Sequence, residues 1–86
     1  MKLFGGPPVY PPIARAAGVQ GIVVVDVIIG PTGFVQNARV LSGPPLLQAA
    51  TIDALRAWHY RPWLVLGKPV PFETQVSIDF KINAAH

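Results

Sequence analysis

A chain of 86 residues has room for one domain with one modest core. Hydrophobic residues at 51% exclude a disordered chain, and the absence of cysteine excludes disulfides and thiolate metal sites. The net charge is +3, but Lys2, Arg15, Arg39, Arg56, Arg61, Lys68 and Lys81 stand singly, without the basic cluster that nucleic acid demands.

The first four residues run straight into Gly5-Gly6-Pro7-Pro8. No apolar stretch of signal-peptide length follows, so neither a signal peptide nor a membrane anchor is expected here. If the natural protein is exported or anchored, this chain is a fragment of it. Residues 1–7 read as a linker end or disordered arm, 8–83 as the domain, and 84–86 as a disordered tail. Pro11 or Pro12 suits the first turn of a helix, where a missing N–H is harmless. A short helix over 13–17 should follow, ended by Gly18 in the left-handed conformation.

Residues 21–29, Gly-Ile-Val-Val-Val-Asp-Val-Ile-Ile, form the stretch on which the rest depends. Its β-branched side chains disfavour a helix, and it is too short to span a bilayer. A strand apolar on both faces belongs in the middle of a sheet. Gly30-Pro31-Thr32-Gly33 then marks a bulged hairpin turn. The second strand is expected over 34–41. Its core face should include Val35 and Val40, with a bulge or register change between them, because strict alternation would part them.

Ser42-Gly43-Pro44-Pro45 breaks the sheet, with Ser42 or Gly43 as the expected helix N-cap. The helix is expected over 45–58, with Leu47, Thr51, Ala54, Leu55 and Trp58 on one face. Pro62 forbids its continuation. Residues 63–66 suit a short strand and Gly67-Lys68-Pro69 a turn. Residues 72–82 alternate, with Phe72, Thr74, Val76, Ile78, Phe80 and Ile82 on one side. Glu73, Gln75, Ser77, Asp79 and Lys81 fall on the other. The order helix, strand, strand, helix, strand predicts a two-layer α+β domain with helices on one face of a small sheet.

Acid–base chemistry finds no purchase. Glu73 and Asp79 lie six residues apart on one strand, about 20 Å at strand rise. His59 and His86 share no ligand spacing, so no metal site is expected, and no serine or threonine lies in a nucleophile motif. The chain reads as a non-enzyme without cofactors. Trp58 and Tyr60 read as core residues and Tyr10 as a candidate partner contact. Charged residues at 13% leave apolar surface for a partner.

Several motifs together resemble the TonB C-terminal domain family, the energy transducers of outer-membrane transport in Gram-negative bacteria. They are Pro8-Val9-Tyr10-Pro11, Gly21 opening a Val-rich strand, Pro31-Thr32-Gly33, Ser42, Trp58-His59-Tyr60-Arg61-Pro62, Gly67-Lys68-Pro69 and Phe80-Lys81-Ile82-Asn83. They span nearly the whole chain. The resemblance implies an antiparallel sheet of strand order 2-1-3, with both helices on one face. It implies a periplasmic domain that binds the TonB box, a short peptide near the N-terminus of an outer-membrane TonB-dependent transporter. Full-length relatives carry an inner-membrane helix, a proline-rich spacer and a link to a membrane motor complex. Pro7 stands where some members have glutamine, which removes a polar contact. The segment 63–74 is longer than in the shortest members, so a hairpin extending the third strand is expected.

On that strand order, 72–82 is an edge strand open to an added peptide. Its candidate contacts are Thr74, Gln75, Val76, Ser77, Ile78, Asp79, Phe80 and Lys81, with Tyr10 beside them. On the central strand, Ile22, Val24 and Ile28 should face away from the helices and could drive homodimer formation. The alternative reading is a TolA-like envelope module that dimerises through its sheet without energy coupling.

Overall fold

The computed structural model describes residues 2–6 and 8–82. The β-branched run forms strand β2, Gly21–Ile29, with the bounds its composition implied. In chain order it is preceded by β1 (Lys2–Phe4) and helix α1 (Pro12–Ala16). It is followed by β3 (Val35–Ser42), helix α2 (Pro45–Leu55), β4 (His59–Tyr60), β5 (Trp63–Val65), β6 (Lys68–Val70) and β7 (Phe72–Phe80). The main sheet is antiparallel in the order β3-β2-β7, the order 2-1-3 of the three long strands.

Alternation on β2 sorts the two faces. Val23, Val25, Val27 and Ile29 are fully buried on the helix side, each worth about 1.5–3 kcal/mol on burial. Ala14 of α1 and Leu47, Thr51 and Leu55 of α2 cover them. Thr51, the buried polar residue, donates its hydroxyl to Leu47 O at 2.9 Å, so no donor is stranded.

The bulge expected in β3 is there. Ile28 pairs with Asn37 and Ile29 with Val35, which leaves Gln36 as an extra residue. The slip brings Val35 onto the face that Ala38 and Val40 share, and all three pack on the core. A second slip leaves Leu41 extra, between Val25↔Val40 and Val24↔Ser42.

Several boundaries differ from expectation. Helix α2 ends at Leu55, not at Trp58. Ala57 and Trp58 donate to Ala54 O and Leu55 O, closing tight turns that hand His59 to β4. The N-cap of α2 is Pro44, with no capping side chain, while Gln48 Nε2 donates to Gly43 O at 2.9 Å. Strand β7 stops at Phe80, so Lys81 and Ile82 lie beyond it. Residues 2–4, read as part of a linker or disordered arm, form β1 and pair with β4. The expected tail, 84–86, lies outside the described residues. Gly18 ends α1 region with φ +70 as expected, and 63–70 forms the expected hairpin.

The Trp58–Tyr60 segment ties the ends of the molecule together. Trp58 and Tyr60 are buried, and Trp58 Nε1 donates to Gly6 O at 2.9 Å. The chain passes so close at Gly5 that a Cβ there would lie 2.3 Å from the Trp58 ring. Tyr60 N donates to Gly33 O at 2.7 Å. Gly33 has φ +92, and a Cβ would meet Tyr60 O at 2.1 Å, so the hairpin turn admits only glycine there.

Candidate functional site

The two edges of the main sheet are unlike. Strand β3 carries two bulges, a device that twists an edge away from further pairing. Strand β7 pairs with β2 in unbroken register over nine residues, from Phe72↔Ile29 to Phe80↔Gly21. Among the described residues no strand pairs with its outer side. The β5–β6 hairpin forms a separate two-stranded sheet and does not pair with this edge.

The register also says which backbone groups are available. Gly30 N donates to Phe34 O across the turn, which directs even-numbered N–H groups of β2 toward β3. Odd-numbered groups therefore face β7. Thr74, Val76 and Ile78, opposite Val27, Val25 and Val23, exchange ladder bonds with β2. The N–H and C=O groups of Glu73, Gln75, Ser77 and Asp79 point outward along the open edge.

The candidate side chains divide in the same way. Thr74, Val76 and Ile78 are half-buried toward the helices and Phe80 is buried, whereas Gln75, Ser77 and Asp79 are exposed on the other face. Lys81, just past the strand, pairs with Asp79 at 3.4 Å. Tyr10 is held inside the domain. Its hydroxyl donates to Val19 O, its ring meets Phe80 edge-on at 5.4 Å, and Arg15 lies over the ring at 4.8 Å. It thereby fixes the Phe80 end of the strand.

The face opposite the helices carries Ile22, Val24 and Ile28 as expected, with Ile22 53% exposed. Asp26 interrupts the apolar row, and Ser42, Arg39, Asn37, Glu73, Gln75, Ser77 and Asp79 flank it on the paired strands. A pairing that sequence reasoning missed sits here. Asp26 hydrogen-bonds Glu73 from a diagonal position, and Arg39 reaches Asp26 at 3.8 Å. That bond, reinforced by the Asp26 charge, holds Glu73 above its ordinary value of 4.5, against a smaller opposing pull from Arg39. Only the register, which decides the diagonal, could have revealed it.

The raised value means that the fold favours a protonated Glu73. The stability this gives is fully present below the ordinary value and is lost as pH rises through the folded one. Glu73→Gln is therefore expected to flatten the fall in melting temperature as pH rises above the ordinary value of 4.5. Parallel profiles for the two proteins, measured by circular dichroism, would show that the pair does not act.

A groove of about 470 Å³ lies elsewhere, between Val9 and Pro11 of the arm and Leu46, Ala50 and Ala54 of α2. Its lining is almost wholly apolar, with Asp53 at the rim. Among the described residues no cluster of three or more His, Asp or Glu could hold a metal ion. Among the described residues, the long strand edge in unbroken register is that of β7.

Comparison with known proteins agrees with this architecture. The family model described as Gram-negative bacterial TonB protein C-terminal matches residues 6–82. Protein TonB of Xanthomonas campestris pv. campestris is 37% identical over 79 residues, covering 90% of this chain and 35% of the relative. Protein TonB of Escherichia coli K12 is 37% identical over 78 residues, covering 88% and 30%. The chain thus spans about a third of the length of these curated relatives. The solution NMR structure of the Pseudomonas aeruginosa TonB CTD superposes with a TM-score of 0.82 at 30% identity, covering 100% of this chain and 89% of that one.

Proposed function

The chain belongs to the family of Gram-negative bacterial TonB protein C-terminal domains, and from that membership we propose a transport role. It is the periplasmic partner-binding domain of an energy transducer anchored in the inner membrane. It takes the TonB box of an outer-membrane TonB-dependent transporter as an added strand beside β7. The contacts are Thr74, Gln75, Val76, Ser77, Ile78, Asp79, Phe80 and Lys81, with Tyr10 holding Phe80 in place. Energy from an inner-membrane motor complex reaches the domain through the rest of the longer protein.

The observation that carries this reading is the contrast between the edges: β3 is bulged twice, while β7 is regular and open. An extended peptide would bond to the outward groups of Gln75, Ser77 and Asp79, with neighbouring side chains giving selectivity. Such a joint suits mechanical work. Tension along the strands loads several hydrogen bonds together, in shear, instead of opening them singly. A fluorescently labelled peptide from the N-terminal segment of such a transporter should bind saturably, read by anisotropy. A flat titration into the millimolar range would remove the transporter from the proposal.

The open face favours a second reading, the TolA-like envelope module that dimerises through its sheet. Ile22 stands exposed there, with Val24 and Ile28 half-buried beside it in the row. On that reading Val24→Lys lowers self-association several-fold in sedimentation equilibrium and leaves the melting temperature almost unchanged. A wild-type monomer at millimolar concentration would exclude it.

A further inference from the structure

Leu66 is 99% exposed, and it is the non-glycine residue with positive φ, +52, among those described. It occupies the first place of the two-residue loop joining β5 to β6, and Gly67 follows at φ +79. Positive φ at both places is a type I′ turn, whose first position suits asparagine, aspartate or glycine. Leucine is strained there and, 99% exposed, packs on nothing among the described residues. A residue that breaks a local rule with no gain inside the molecule is what a contact outside it would produce.

Its neighbours share the exposure. Trp63 and Leu64 are each 59% exposed and Val65 is 48%. Trp63 and Val65 lie on one face of the ribbon, Leu64 and Leu66 on the other, so both faces are bare. Trp63 touches the domain through Phe72, at 5.8 Å. The hairpin springs from Tyr60 and Phe72 and joins no other sheet among the described residues. Between those roots the charged residues are Arg61 and Lys68, both cations.

We propose that the tip of the β5–β6 hairpin inserts shallowly into an anionic phospholipid surface. A flat protein partner covers one face of a narrow ribbon, whereas a fluid interface surrounds both. Trp63 suits the headgroup boundary, where an aromatic ring with a polar N–H is at home. Leu64, Val65 and Leu66 enter the acyl region beneath it. Arg61 and Lys68 meet the phosphates, with the Lys68 stem lying along the apolar surface. The ladder of the hairpin pairs the inward backbone groups, which limits the cost of entry. This inference stands apart from peptide binding at β7.

The test is co-sedimentation of the full chain with phosphatidylcholine vesicles, with and without phosphatidylglycerol. Wild type should bind the anionic vesicles about tenfold more tightly than the neutral ones, and salt should weaken the binding. Brominated lipid should quench Trp63, while Trp58 stays buried. Leu66→Asn suits the turn, so it should keep or raise the melting temperature while lowering vesicle binding several-fold. Adding Leu64→Ser should bring the loss to about tenfold or more. Equal binding by this double variant, or no binding to anionic vesicles by wild type, would overturn the proposal. If the variant instead abolished self-association in a protein that ignored vesicles, the tip would belong to a second copy and the lipid assignment would fall.

Discussion

Trp58→Ala is expected to unfold the domain or leave it with a low, broad thermal transition. Truncating a buried tryptophan costs about 3–5 kcal/mol, against about 5–15 for the whole stability of a domain. Here the loss reaches further than one cavity. The indole holds Gly6 O through Nε1, packs against Gly5, and lies beside the His59–Tyr60 strand that pairs with β1. Tyr60 in turn bonds the Gly33 turn. Trp58→Phe keeps most of the ring and drops the hydrogen bond, so it should cost about 0.5–1.5 kcal/mol plus a smaller packing loss. An unchanged melting curve for Trp58→Ala, together with lost partner binding, would make Trp58 a contact residue instead.

Proline moved one residue at a time along β7 should give an alternating result. Val76 and Ile78 bond to Val25 and Val23, so proline there removes a ladder donor and strands a buried carbonyl. Each such change costs about 1–3 kcal/mol before the φ restriction and lost side-chain packing are added. Val76→Pro and Ile78→Pro should therefore melt the domain. Gln75 and Ser77 direct their N–H groups to the open side, where proline is tolerated on an edge. Gln75→Pro and Ser77→Pro should keep the fold and lose peptide binding about tenfold or more, since each deletes a bond an added strand would make. Full affinity in Ser77→Pro would mean that the peptide does not pair with this edge.

What could be read from the sequence follows the physics of each element. Strand β2 was legible residue by residue, because a β-branched run between two glycines has no other stable use. The bulge in β3 was legible because Val35 and Val40 cannot share a face without one. The Asp26–Glu73 bond was not, since neither residue signals which strand, or which diagonal, will bring it a partner. The β1–β4 pair was hidden for a related reason. Three residues and two residues are too short to show a period, and they meet across most of the chain. The end of α2 is hidden because Trp58 keeps its helical spacing yet reaches the core from a tight turn. Lys81 continued the alternation of β7 on paper, but the strand stops at Phe80. The candidate edge itself could be located only once strand order was known, and order came from the family resemblance.

The titration of a labelled transporter N-terminal peptide into the isotopically labelled domain, followed by backbone amide shifts, bears most directly on strand addition at β7. The largest shifts should fall on residues 74–81, strongest at the outward amides of Gln75, Ser77 and Asp79, and these amides should gain protection from solvent exchange. Shifts confined to β3, or to the groove between Val9 and Leu46 of α2, with residues 74–81 unmoved, would contradict it.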